Sequence, residues 1–375
     1  MPSMVASTIN RYPDRGLLRA SLALLGMSLL VACTGDSISD TGVALPENRG
    51  TQVQTGAAPV SPFSPLAWSP DGSEIFFQTD STPGRLMAAS LTGTVRQLDG
   101  PRDAYLDVAV SADGASLYFA ADLRQGRRSV YRLPLPAGTA QVVTAQSSGV
   151  LASFQSDGWL ALPAPAGSAV AYTALPDSIK LLIPETGERR FLAQGCERIV
   201  AFSPDGLRIL CQTGGGGAGA YSVVDVPSRV IQQVLILPVQ DTRALFVNWN
   251  ASGVRVVYET PIGLALWDVT RQASTVNWSL PLRAGLVLDR QNGDWSNDGT
   301  RVGIWLHECL RTQGLSRCLE GQSLLYVLDP SNGRSALAAV ARGAEGATTM
   351  AFSPDGTRVA YIFDGKIYYQ AVTPP

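Results

Sequence analysis

One histidine and five cysteines are the residues of this chain best suited to acid–base, metal or redox chemistry. His307 stands in Trp305-Leu-His-Glu-Cys309, where an imidazole and a carboxylate could share a proton or a metal ion. A protein zinc site takes three or four protein ligands, and the sequence has neither a second histidine nor cysteines in CxxC spacing. We therefore predict no metal site and a polar strand end for His307, while a Ser-His-Asp triad through His307 stays open.

The glycine run Gly214-Gly-Gly-Gly-Ala-Gly219 is the other segment that suggests ligand chemistry. A phosphate-binding loop needs a Lys-Ser/Thr pair and a helix directly after its glycines, and the Lys-Ser/Thr pair is missing here. The Gly-x-Ser-x-Gly nucleophile elbow of α/β-hydrolases is also absent. These observations predict no catalytic residue and no cofactor, and they assign the glycine run to a turn between strands.

Cys33 differs from the other cysteines because of the residues that precede it. Three arginines are followed by an uncharged run, Ala20–Ala32, which is too short to span a bilayer but fits the apolar part of a signal peptide. The run ends in Leu30-Val31-Ala32-Cys33, which resembles a bacterial lipobox. That resemblance implies cleavage before Cys33 and a diacylglyceryl group, with fatty acyl chains such as palmitate, on its sulfur. An ordinary signal peptide is the alternative.

The residues after Cys33 bear on location and on domain boundaries. In lipoproteins of bacteria with two membranes an Asp after the lipidated cysteine commonly implies retention at the inner membrane. Thr34 therefore favours the outer membrane, facing the periplasm, over the inner membrane. The polar stretch up to about Pro62 lacks apolar periodicity and is typical of a flexible tether. We predict a cleaved signal peptide over residues 1–32, a tether over 33–60 and a folded domain over 61–375.

Four cysteines remain once Cys33 is lipidated, namely Cys196, Cys211, Cys309 and Cys318. An even number of cysteines in an exported chain indicates disulfide bonds, and three pairings are possible. Closeness in sequence favours Cys196–Cys211, on either side of a predicted hairpin, and Cys309–Cys318. Free buried thiols are the alternative.

A repeated motif organises the rest of the chain. Ala67-Trp-Ser-Pro-Asp-Gly72 returns as Ala201-Phe-Ser-Pro-Asp-Gly206 and as Ala351-Phe-Ser-Pro-Asp-Gly356. Looser copies begin at Ala109, Asn248 and Asp294, and a blurred copy spans Phe154 to Tyr172. Such self-similarity at a fixed period is the signature of repeat architectures. We count seven repeats.

The motif is typical of a tight turn between two strands. Proline presets φ at the first corner of a type I turn, aspartate suits the second corner, and glycine supplies the positive φ that a following bulge needs. The apolar residues on both sides then form two antiparallel strands. A third and a fourth strand usually follow, as in Tyr221–Asp225 and Arg190–Ala193.

Four short strands in each of seven repeats indicate a β-propeller. We therefore predict an all-β fold, a seven-bladed β-propeller of four-stranded antiparallel blades. The last repeat shows three strands, within Met350–Ser353, Arg358–Phe363 and Lys366–Val372, before the sequence ends. We predict that a segment within Gln52–Phe63 supplies its fourth strand and so removes the exposed edges of the ring.

The repeats resemble the WD40-like propeller repeats of the TolB family, through Ser-Pro-Asp-Gly followed by an apolar strand, over roughly residues 61–375. The resemblance implies the fold and says little about function. The chain also departs from TolB, because the short segment after Cys33 leaves no room for TolB's N-terminal α/β domain. Seven motifs exceed the six blades of TolB, and a lipid anchor replaces a soluble periplasmic form. TolB's partnership with Pal is therefore not carried over.

Charge and motifs together narrow the function. The 29 basic and 31 acidic residues nearly balance and no stretch is strongly basic, which excludes an electrostatic site for nucleic acid. The lipid predicts attachment to a membrane. Without a recognisable catalytic set, we predict a monomeric binding or scaffold module for a protein or glycan partner. A hydrolase or lyase with its site at the mouth of the central channel is the alternative, since propellers host such enzymes.

Overall fold

The structure is a computed structural model. It describes residues 38–40, 44–56, 59–62, 64–101, 104–111, 114–122, 128–142, 162–163, 170–174, 178–183, 186, 188–196, 198–203, 206–213, 220–235, 244–250, 253–260, 263–269, 271, 273–278, 286–296, 299–313, 317–343 and 347–372. Contacts divide the chain into the units Met1–Ser37 and Ile38–Pro375. The first unit, with the predicted signal peptide and Cys33, lies outside the described residues. No helix in the described part is long and apolar enough to cross a membrane.

The described residues form β-strands that assemble into seven sheets, numbered here in chain order. Two short strands, β1 (Ile38–Asp40) and β2 (Thr51–Gln52), come before the repeats. Sheet 1 contains β3 (Ala67–Trp68), β4 (Glu74–Gln78), β5 (Leu86–Ser90) and β6 (Val95–Gln97). Sheet 2 contains β7 (Ala104–Val110), β8 (Ser116–Asp122), β9 (Arg128–Pro134) and β10 (Gln141–Val142). Sheet 3 contains β11 (Leu162–Pro163), β12 (Val170–Ala174), β13 (Ser178–Ile183) and β14 (Glu188–Gln194).

The remaining sheets follow the same plan. Sheet 4 contains β15 (Arg198–Phe202), β16 (Arg208–Gln212), β17 (Ala220–Asp225) and β18 (Ile231–Leu235). Sheet 5 contains β19 (Ala244–Asn250), β20 (Gly253–Thr260), β21 (Gly263–Asp268) and β22 (Ala273–Trp278). Sheet 6 contains β23 (Leu286–Trp295), β24 (Val302–Gln313), β25 (Arg317–Leu328) and β26 (Ser335–Arg342), with β1 paired to β24. Sheet 7 contains β27 (Met350–Phe352), β28 (Arg358–Phe363) and β29 (Lys366–Ala371), with β2 paired to β29.

The sheets follow one another around a closed circuit. The first strand of each sheet contacts the first strand of the next, from β3 through to β27, and β27 in turn contacts β3. Sheets 6, 7 and 1 each share an apolar cluster with the sheet before and with the sheet after them. In β28, Val359 and Tyr361 join an apolar cluster with sheet 6, whereas Ala360 and Ile362 join a cluster with sheet 1. Because side chains alternate along a strand, the side chains of one strand contribute to two different apolar cores.

The circuit closes through a segment from the N-terminal side of the repeats. Thr51 pairs with Tyr369 and Gln52 with Tyr368, which makes β2 the fourth strand of sheet 7. The closing strand begins one residue before the predicted window. Beyond it, the Val53 amide donates to the Ile367 carbonyl at 2.9 Å.

Several residues of the segment 44–56 and Val60, which composition assigns to the flexible tether, are paired with the sheets or buried in the structure. Asn48 pairs with Val340 of sheet 6, and Val53 and Val60 are fully buried. A strand added at a sheet edge is held by main-chain hydrogen bonds, so it needs no apolar periodicity. The folded part of the chain therefore begins upstream of residue 61.

The blurred repeat is described only in part. Its predicted first half, Phe154–Gly158, lies outside the described residues. The first strand of sheet 3 is β11, downstream of that segment.

Candidate functional site

Five of the repeat turns share one hydrogen-bonding pattern. The motif serine carbonyl accepts the amide of the motif glycine at 2.8–2.9 Å, and the glycine φ lies between 65° and 70°. The serine hydroxyl oxygen accepts a second amide, five residues after the serine, also at 2.8–2.9 Å. The serines are Ser69, Ser111, Ser203, Ser296 and Ser353. The turn chemistry predicted from the motif is therefore confirmed in these sheets.

The turn aspartates are held by their own turns. Asp71 Oδ1 accepts hydrogen bonds from the Ser69 hydroxyl at 2.6 Å and from the Ser73 amide at 3.0 Å. The equivalent bonds from Ser353 and Thr357 lower the pKa of Asp355 to about 2. Because these carboxylates are engaged in the turn, they are poor candidates for acid–base catalysis.

Arginines join the turns of neighbouring sheets. The Arg301 guanidinium donates to the Gly356 carbonyl of the next sheet, and Arg358 Nη1 donates to the Gly72 carbonyl of the sheet after that, at 3.4 Å. The Arg358 guanidinium also lies 5.9 Å from the centre of the Trp68 ring, which is a cation–π contact. Each arginine follows its motif glycine by two residues. Motif spacing could have identified this role, which the sequence reasoning missed.

Sheet 2 continues this row of turns. A Cβ at Gly114 would lie 2.9 Å from Pro70 Cγ, so the turns of sheets 1 and 2 touch. The turns after the first strands of sheets 6, 7, 1 and 2 therefore lie side by side, and we call this surface the turn face.

The motif tryptophans pack between sheets, as predicted. Trp68 is buried against sheet 7 and donates its Nε1 hydrogen to the Ala351 carbonyl at 3.0 Å. Trp295 is buried in a cluster with sheet 5. The side chain of Trp249 lies outside the described residues. Ligand stacking is thus not the role of the two tryptophans whose side chains are described.

Both favoured disulfide pairings are present in the structure. Cys196 is bonded to Cys211 and Cys309 to Cys318, with Cα atoms 5.7 Å apart in each pair. The first bond is buried in sheet 4, where Ile199 and Cys211 are cross-strand partners. The second joins β24 to β25 near the end of their hairpin.

His307 lies well inside β24, so its prediction as a polar strand end is wrong. Its Nδ1 is 3.4 Å from the Ser323 hydroxyl oxygen, and a Cβ at Gly321 would lie 2.7 Å from its Cε1. Ser323 is buried, and the two residues belong to the second and third strands of sheet 6, whereas the contacts around the circuit run through the first strands.

Glu308, next along the strand, faces the opposite side of sheet 6 because neighbouring side chains alternate. Its Oε2 accepts the Gln322 amide hydrogen at 2.7 Å, and Gln322 Oε1 accepts the Leu45 amide at 3.0 Å. Glu308 and Gln322 are both buried. These bonds tie the segment before β2 to sheet 6. Among the described residues, no group of three or more His, Cys, Asp or Glu could hold a metal ion.

Asp294 on β23 is an ionisable residue that the sequence reasoning did not single out. Its Oδ1 accepts the Trp295 amide at 2.8 Å, and the carboxylate also accepts the Phe352 amide from β27 of the next sheet. Burial nevertheless raises the pKa of Asp294 to about 7. The sequence does mark Asp294 as unusual, because alanine occupies the equivalent position in four of the motif copies.

We expect Asp294→Asn to change how stability depends on pH. A folded-state pKa of about 7, above the unfolded value, means that Asp294 stabilises the fold at low pH and that this contribution is lost as pH rises through 7. The variant should match the wild type near pH 4 and exceed it near pH 8, by roughly 4 kcal/mol at most. Denaturant unfolding at both pH values measures this.

Asp71→Asn is the matched control. Hydrogen bonds lower the pKa of Asp71, so its contribution is present at neutral pH and lost in acid. The control should be destabilised at neutral pH, opposite in sign to Asp294→Asn. Equal stability of Asp294→Asn and wild type at every pH would contradict the assignment.

Three exposed apolar residues lie at one end of sheet 4. Leu207, Val230 and Ile231 are 51%, 59% and 42% exposed. The Leu207 carbonyl accepts the Val226 amide at 2.8 Å and the Val230 carbonyl accepts the Asp225 amide at 2.9 Å. These bonds place all three at the same end of the sheet, and we call them the Leu207 patch.

Two arginines flank this patch. Arg208 follows Leu207 at the start of β16, and Arg229, with φ of 62°, precedes Val230. Both side chains are exposed. Aliphatic side chains bordered by guanidinium groups are suited to a partner that combines apolar and acidic side chains.

Comparison with known proteins establishes the fold. No protein-family model and no curated protein matches this sequence. The β-propeller domain of Cps50 (Swd1) from Myceliophteria thermophila aligns with a TM-score of 0.57 at 15% identity, covering 88% of this chain and 100% of that one. The chain has a β-propeller fold.

TolB from Acinetobacter baumannii also aligns, with a TM-score of 0.47 and 14% identity, covering 76% of this chain and 66% of that one. At such identities a likeness concerns the fold alone. The function of this propeller must therefore be argued from its own residues.

Proposed function

We propose that this chain is an extracytoplasmic lipoprotein, anchored through Cys33, whose propeller acts as a monomeric binding module for a protein partner. The observation that carries the binding proposal is the exposed Leu207 patch between two arginines. Exposed apolar side chains gathered at one end of a sheet are candidates for an interaction site. The aliphatic character of the patch favours a protein over a glycan.

We propose further that the propeller has seven blades built on four strands each. Two observations support this count. The described strands form seven sheets, and their first strands contact one another in cyclic order. Closure by β2 fits the same reading, because the strand pairs a segment upstream of the first repeat with the last sheet.

The anchor proposal rests on the sequence before Cys33. Leu30-Val31-Ala32-Cys33 follows a basic and then an apolar segment, which is the order found in lipoprotein signal peptides. Two disulfides are consistent with an oxidising compartment outside the cytoplasm. Thr34 supports the outer membrane, with the propeller in the periplasm, over the inner membrane.

The binding proposal is tested by photo-crosslinking in the native envelope. A photoreactive amino acid at Val230 should give one discrete protein adduct, because this side chain is 59% exposed inside the patch. The same probe at Leu337, 41% exposed on the outer strand of sheet 6, is the matched control and should give none.

A second variant tests the chemistry of the partner. Arg229→Glu should weaken the Val230 adduct several-fold, since it places a like charge against an acidic partner. Equal adducts at Val230 and Leu337, or no adduct at Val230, would overturn the binding proposal.

The alternative of a hydrolase or lyase at the channel mouth gains no support from His307 and Ser323, which lie between sheets. Asp294 lies on a first strand, but its carboxylate is engaged by two backbone amides. We therefore do not propose an enzymatic function.

A further inference from the structure

The hairpin of sheet 6 reaches beyond the other hairpins of the described chain. β24 and β25 have 12 residues each, and the cross-strand pairing continues to Gln313 and Arg317. The disulfide between Cys309 and Cys318 joins the two strands within this extension. We call residues 309–313 and 317–320 the hairpin end.

The strand β1 is paired to this hairpin end. Ile38 lies opposite Gln313 and Asp40 opposite Arg311, in antiparallel register. Among the described residues, the chain therefore first pairs with the propeller at the end of β24 that lies farthest from the turn face. It reaches its next described contact, from the Leu45 amide to Gln322, only after β1.

The length of chain before β1 limits where a lipid on Cys33 can lie. Only five peptide steps join Cys33 to Ile38. A fully extended chain covers at most 3.3–3.6 Å per residue, so Cys33 is within about 18 Å of Ile38 in any conformation. This limit is covalent and holds for any path of the intervening residues.

We infer that the propeller is held with its hairpin end against the bilayer and its turn face directed away from it. The inference rests on the proposed anchor at Cys33. β24 runs from Val302, beside the turn of sheet 6, to Gln313. At about 3.3 Å per residue, its 11 steps separate the two ends by roughly 36 Å, which is twice the maximum distance between Cys33 and Ile38.

Energy transfer from the protein to lipid headgroups tests the inference. The full-length lipidated protein is purified and placed in vesicles of phosphatidylethanolamine and phosphatidylglycerol that carry an acceptor dye on the headgroups. A donor dye is attached through an encoded azide amino acid at Glu320 or at Thr300, both exposed. Transfer from Glu320 should be roughly twofold or more above transfer from Thr300, because about 30 Å of strand separates them.

A proline variant tests whether β1 sets the orientation. Ser39 pairs with Thr312 at the centre of β1, and proline fixes φ at about −65°, away from the value of about −140° in an antiparallel strand. In Ser39→Pro the first remaining described contact is at Leu45, 12 residues after Cys33, and the chain between Cys33 and that contact can extend to about 40 Å. The difference in energy transfer between the donor at Glu320 and the donor at Thr300 should then become smaller. Ala44→Pro, outside any strand, is the control and should preserve the difference.

The outcomes separate the orientation from the anchor. Protein that fails to float with the vesicles would contradict the anchor at Cys33. Protein that floats but transfers equally from Glu320 and Thr300, or more strongly from Thr300, would overturn the orientation and leave the anchor standing. An unchanged difference in Ser39→Pro would show that β1 does not set the orientation.

Discussion

A chain that starts at Ser61 should unfold at a temperature roughly 10 °C or more below that of a chain that starts at Ala44. The shorter chain lacks β2 and leaves the outer edge of sheet 7 open. It also loses Val53 and Val60, which are 2% and 1% exposed. Each fully buried valine contributes roughly 1.5–3 kcal/mol, so these two alone account for about 3–6 kcal/mol.

Further contacts of the same segment add to the loss. The Tyr361 hydroxyl donates to the Arg49 carbonyl at 2.5 Å, and the Arg49 guanidinium lies 5.0 Å from the centre of the Phe363 ring. Tyr361 is fully buried, so removal of the segment leaves its hydroxyl without that acceptor. The unpaired edge of β29 would also be a template for association between chains.

Thermal unfolding followed by circular dichroism compares the two chains, and size-exclusion chromatography reports association of the shorter one. The chain from Ala44 is the matched control because it keeps the segment from Leu45 onwards and, of the described residues, loses only β1. Equal midpoints for the two chains would show that β2 contributes nothing to closure and would contradict the role assigned to it.

Cys33→Ala should move the protein from the membrane fraction to the soluble fraction. Two or three acyl chains, at roughly 0.8 kcal/mol per buried CH₂, hold a protein stably at a bilayer. The variant has no acyl chain and therefore lacks an interaction of comparable strength. Fractionation of cells followed by immunoblotting measures the distribution.

Two further chains sharpen this experiment. An uncleaved signal peptide could itself hold the variant at the membrane, so a second chain carries a cleavable signal peptide without a lipobox in place of residues 1–33. A Cys309→Ser, Cys318→Ser chain controls for cysteine loss and should stay in the membrane fraction. Retention of both Cys33-deficient chains in the pellet would contradict the anchor.

The parts of the fold that follow from local chemistry could be predicted from sequence. The Ser-Pro-Asp-Gly turns depend on proline φ, on a serine acceptor and on a glycine with positive φ, and all of these lie within a few residues. The third and fourth strands, such as β17 and β14, follow from apolar periodicity. The nearness of Cys196 and Cys211 follows from the hairpin between them.

The parts that depend on neighbouring sheets could not be predicted in the same way. β2 lies in a polar segment, because an edge strand is held by main-chain atoms and needs no apolar pattern. The pairing of β1 with the hairpin end depends on distant residues. The burial of Asp294 depends on β27 of another sheet, although the loss of alanine at its motif position marked it as unusual.

The candidate site was less predictable than the fold. Leu207 and Val230 are of residue types that are usually buried. They are exposed because each lies at a turn at the same end of sheet 4, which the sequence alone does not show. The arginines that link the turns share a fixed offset from the motif glycine. The offset alone does not predict their hydrogen bonds, because the carbonyl acceptors belong to the next sheet.

The location, the oxidising compartment and the orientation of the propeller all depend on the processing of Cys33. Intact mass spectrometry of the protein purified from its native membranes tests this directly. We expect a chain that begins at Cys33, carries diacylglyceryl and acyl groups on that residue, and contains the disulfides Cys196–Cys211 and Cys309–Cys318. A chain that retains residues 1–32, or that begins at an unmodified Cys33, would contradict it.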